Sequence, residues 1–94
     1  MDWNLKRRKH ERAIASEIAN ELNRVLGRAM PEALADNRDI VCGIFATVFD
    51  RHHVVTEDAG ERILQCVPKI LAGRYQSYAE LNSRLAAAVR PPIS

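Results

Sequence analysis

The chain has 94 residues and a formal net charge of +2, with 47% hydrophobic and 28% charged residues. This is the composition of one ordinary globular domain spanning 1–94, too apolar for a disordered chain and too short for two independent cores. The longest apolar run, Ile40 to Phe49, is 10 residues. A membrane span needs about 20, so no membrane partner is expected.

The charge is unevenly distributed. Residues 6–12 read KRRKHER and carry +4 with His10 neutral, which leaves −2 for the rest of the chain. No apolar stretch follows this basic segment, so it does not read as a secretory signal, and the expected location is cytoplasmic. Cys42 and Cys66 each sit inside an apolar run. In a reducing compartment both are expected as free thiols acting as small core residues.

The spacing predicts a first helix over residues 4–30. Ile14, Ile18, Leu22, Val25, Leu26 and Ala29 repeat at helical intervals and make one apolar stripe. Arg7–Glu11 and Glu21–Arg24 are placed to pair on its exposed face. Pro31 marks its end or a kink. Lys6, Arg7 and His10 break the stripe toward the N-terminus. A helix of this length measures about 40 Å, whereas a compact domain of this size is about 32 Å across. The basic end is therefore expected to overhang the body.

A second helix is predicted over residues 37–51, with N-cap candidates in Asp36-Asn37-Arg38-Asp39. Its apolar residues run nearly all round, which predicts the most buried helix of the fold. Gly43 in its interior suggests a close packing contact. Thr56 caps a third helix, with Glu57, Asp58 and Glu61 near its start, where they complement the helix dipole. Ile63, Val67, Ile70 and Leu71 form its stripe, and Pro68 is expected to kink or split it. The alternative for residues 54–67 is a small hairpin, Val54–Thr56 against Glu61–Val67, which would make the fold α+β. Ser77 and Glu80 form a capping box for a last helix whose stripe is Tyr78, Leu81, Leu85 and Ala88 or Val89. Pro91-Pro92 stops it. The predicted fold is all-α, a compact four-helix domain with a long N-terminal helix.

Motifs for chemistry are sparse. His52-His53 is the weak metal candidate, but no spacing matches H-x-x-x-H, H-E-x-x-H or C-x-x-C. Asp50 to Glu61 has the length of an EF-hand loop, yet Val55 stands where the loop requires glycine. There is no nucleophile elbow and no glycine-rich phosphate loop. No cofactor is expected, and the chain reads as non-enzymatic.

The sharpest feature is the basic segment. Lys6, Arg7, Arg8, Lys9 and Arg12, with Trp3 just before them, are the candidate partner-binding residues. A preformed basic helix can cover an acidic protein surface, with Trp3 as an anchor. The size suits a regulator or inhibitor of the kind carried by phages or plasmids. Nucleic acid is the alternative partner, with the arginines on phosphates and Trp3 stacked on a base. Self-association into a homodimer through the first helix is a further expectation. A small metal protein or enzyme around His52-His53 is the third reading.

Overall fold

A computed structural model describes residues 2–27, 33–34, 36–72 and 78–89. The chain is all-α. Among the described residues four helices run in order: α1 Asp2–Leu26, α2 Arg38–Arg51, α3 Glu57–Ala72 and α4 Tyr78–Val89. Among the described residues there is no strand. The hairpin alternative is overturned, because Glu61 to Val67 lies wholly inside α3. Pro31, the Ser77 cap, Pro91-Pro92 and the side chains of Trp3 and Tyr78 lie outside the described residues.

α1 ends four residues before the expected position. Gly27 adopts φ of 65° directly after Leu26. This left-handed conformation closes helices and favours glycine, so glycine, rather than the later proline, supplies the stop. The buried stripe of α1 is Ile14, Ala15, Ile18, Ala19 and Leu22. Val25, expected in the stripe, is 42% exposed.

α2 is not buried all round. α2 buries Val41, Phe45 and Val48, while Ile40 is 44% exposed. Gly43 is exposed, and a Cβ added there would meet nothing within 4 Å. The close contact expected of Gly43 is therefore absent.

Leu34 is fully buried and belongs to the core shared by all four helices. It is helical, as are Ala33 and Asp36. Asn37 holds this connection through two bonds to the Ala33 carbonyl, from its backbone N–H at 2.9 Å and from Nδ2 at 2.8 Å. Its own carbonyl accepts from the Val41 N–H at 2.9 Å, which starts α2.

A short turn joins α2 to α3. His53 takes φ of 56°, and the Val54 N–H returns to the Phe49 carbonyl at 2.9 Å. Thr56 Oγ1 then accepts from the Ala59 N–H at 3.3 Å, as a capping threonine does. Pro68 neither splits nor ends α3, which continues to Ala72. Pro68 is buried, and it removes one helical donor, the N–H that would reach the Leu64 carbonyl. Ile63, Val67 and Leu71 face the core, as do Leu81, Leu85 and Ala88 of α4.

The described structure measures 39 × 31 × 22 Å, with a radius of gyration of 12.9 Å. A 25-residue helix is about 38 Å long, so α1 spans the longest dimension. Its basic end is less detached than expected. Leu5 is 58% exposed, but from Arg7 onward the helix lies against the rest of the molecule. No helix among the described residues is long and apolar enough to cross a membrane.

Candidate functional site

Helical spacing sorts the basic segment onto two faces of α1. Leu5, Arg8, Lys9 and Arg12 recur at i, i+3, i+4 and i+7, and all four are exposed. Lys6 is exposed beside them. Arg7 is half-buried on the other side. There it lines a hollow with His10, Glu11 and the turn from His52 to Thr56.

Glu11 is the one acid in the segment, and it is not on the exposed face. It lies three residues before Ile14 and seven before Ile18, hence on the apolar stripe. Its side chain is only 9% exposed. Arg62 of α3 answers it in a two-point contact: Nε donates to Oε1 at 2.9 Å and Nη2 donates to Oε2 at 2.8 Å. This paired geometry is the strong form of a charge-assisted bond. The hydrogen bond from Arg62 holds the Glu11 carboxyl below its ordinary range, against a smaller opposing effect of burial, and the nearby charges of Arg62, Arg7 and His10 act in the same direction as the bond.

That pair forms one end of a groove between α1 and α3. The groove has a volume of about 550 Å³. Arg8 and Arg12 line one side, and Arg62 and Lys69 the other, with Cys66 and Ile70 as the apolar part of the lining. The four cations face one carboxylate, Glu11, which is already engaged by Arg62. The groove therefore presents positive charge around an apolar floor. This combination suits an acidic segment that also carries an apolar side chain.

Lys6, Arg8, Lys9 and Arg12 stand out in the sequence as one basic segment, whereas Arg62 and Lys69 do not. Their contribution depends on the packing of α3 against α1. One signal was available: a carboxylate in register with Ile14 and Ile18 needs a cation from elsewhere.

The histidines separate. His52 turns back to α1, where its Nε2 lies 3.2 Å from Glu17 Oε1. Arg51 Nη1 donates to the other oxygen of Glu17 at 2.7 Å. The His10 ring meets His52 edge-on, with centroids 6.0 Å apart. His53 is exposed, on the left-handed residue that ends the helix. Among the described residues, no three His, Cys, Asp or Glu side chains come together as a metal site. Both cysteines are free thiols. Cys42 Sγ donates to the Ala88 carbonyl at 3.2 Å and ties α2 to α4.

The fold and the groove define a small all-α protein with a basic, apolar-floored surface. Comparison with protein-family models, curated proteins and solved structures finds no match to this chain.

Proposed function

We propose that this chain is a non-enzymatic binding protein whose α1 basic face and adjoining groove cover an acidic surface of a protein partner. It acts as a regulator or inhibitor by steric and electrostatic occlusion. The observation that carries this reading is the convergence of Arg8 and Arg12 with Arg62 and Lys69 around an apolar floor. Phosphate tracking alone does not need that floor; a protein segment with an acidic rim and an apolar anchor uses both parts. Lys6 and Lys9, exposed elsewhere on α1, extend the positive field and speed encounter with such a surface.

The test is affinity capture from lysate of the source cell, with and without nuclease. A stoichiometric protein retained after nuclease supports the reading. Capture of nucleic acid, with proteins lost after nuclease, moves the assignment to phosphate binding. In that case affinity falls steeply between low and physiological salt.

A further inference from the structure

The molecule carries a second surface with the opposite character. A hollow of about 360 Å³ lies where α3 meets α2 and α4. Phe49, Leu64 and Val89 line it with apolar surface, and Glu57, Asp58 and Glu61 stand at its edge. All three carboxylates are exposed, and the three apolar residues are half-buried. Gly60 lies beside the Phe49 ring, which a Cβ added there would meet at 3.5 Å, an ordinary contact.

The outer face of α1 is the chemical complement of this hollow. Leu5 is a large apolar side chain left 58% exposed. Arg8, Lys9 and Arg12 follow it on the same helical face, one to two turns toward the C-terminus. An apolar anchor beside cations matches an apolar hollow with an acidic rim. The two cannot meet within one molecule. On α3, Arg62, Cys66 and Lys69 occupy the flank toward α1, whereas Glu57, Gly60, Glu61 and Leu64 occupy the opposite flank.

We infer that the chain associates head-to-tail with second copies of itself, Leu5 and the surrounding cations of one copy seating in the Phe49–Leu64–Val89 hollow of the next. The contact joins two different surfaces, so each pair leaves one of each open and growth continues past a dimer, into open chains or rings of three or more copies. The hollow is small, and an interface built on it falls below the roughly 1,200 Å² of a stable complex. Association is therefore concentration-dependent and sensitive to salt. It masks the same basic face that the proposed function uses, so self-association and partner binding compete. The inference does not depend on the outside partner: it is tested on purified chain alone, and either idea can fail without the other.

Sedimentation velocity over a rising concentration series tests it. At low salt the weight-average mass rises past twice the 10.6 kDa of the monomer. In about 1 M salt, where charge interactions reach only about 3 Å, it returns to the monomer. A wild-type chain that stays monomeric at low salt, or that halts at a dimer, overturns the inference without any variant. Two variants sharpen the result. Leu5→Asp/Arg8→Glu removes the plug and keeps the hollow, and Glu57→Gln/Asp58→Asn/Glu61→Gln does the reverse. Each alone is monomeric. Mixed, they form a one-to-one pair and nothing larger. A mixture that remains monomeric, or that grows beyond the pair, contradicts a plug-and-hollow contact.

Discussion

Glu11 on α1 and Arg62 on α3, 51 residues apart in the chain, are locked by three charge-assisted hydrogen bonds of 2.8 to 3.1 Å. Glu11 is almost wholly enclosed, while the Arg62 side chain is 40% exposed at the edge of the groove. The pair fixes how α3 lies on α1 and thereby where Lys69 stands relative to Arg8 and Arg12. The groove exists because this carboxylate sits on the apolar stripe and draws a guanidinium to it.

The pair gives stability a definite pH dependence. The folded-state pKa of Glu11 is lowered from its ordinary 4.5 by the Arg62 bond first, with the Arg62, Arg7 and His10 charges in support. A carboxyl whose pKa is depressed on folding contributes stability above its unfolded value, and that stability is lost as pH falls through the folded value. The Glu11→Gln variant is expected to have a lower urea midpoint than wild type near pH 7, with the gap narrowing in acid, as pH falls below the ordinary 4.5 and on through the lowered folded-state value. Urea unfolding near neutrality and in acid checks this; an undiminished gap in acid contradicts it.

Two glycines of α1 and α2 are expected to respond in opposite ways. Gly43 sits in an exposed helix interior with open space beyond its Cα. Gly43→Ala should stabilise by about 1 kcal/mol through helix propensity. Gly27 holds φ of 65° at the end of α1. Gly27→Ala should destabilise by about 1 kcal/mol, since a side chain strains that conformation. Thermal or denaturant unfolding of both variants reads the two signs directly.

Leu34 belongs to a short helical stretch yet is completely buried. Leu34→Ala should cost about 3 kcal/mol, the usual range for emptying a closed leucine site. That is a large part of the stability of a domain whose total is about 5–10 kcal/mol. A cost below about 1 kcal/mol would mean that this stretch packs only loosely on the core. The measurement is a denaturant titration with an unchanged slope.

What was legible in the sequence follows the range of the interactions. Thr56 as a cap, the stripe Ile63–Val67–Leu71 and the Glu21–Arg24 pair, found at 2.8 Å, are local and could be read from spacing alone. Gly27 was equally local, but the proline four residues later was the more conspicuous breaker and drew the boundary too far. The apolar run of α2 looked uniformly buried, because composition does not reveal that Ile40 and Gly43 face outward. The groove could be only half seen. Lys6, Arg8, Lys9 and Arg12 are contiguous in sequence, whereas Arg62 and Lys69 join them only through folding. The contacts of His52 with Glu17 and His10 were illegible for the same reason: they join residues 35 and 42 positions apart across the turn after α2.

Reversing charge on the groove tests the central claim most directly. Arg8 and Arg12 are exposed and belong to no core contact, so Arg8→Glu/Arg12→Glu should leave the fold intact by circular dichroism. In nuclease-treated lysate, the variant should retain less than about a tenth of the protein partner captured by wild type, a loss of at least 1.4 kcal/mol. Equal capture by variant and wild type would contradict the assignment of this face as the contact surface.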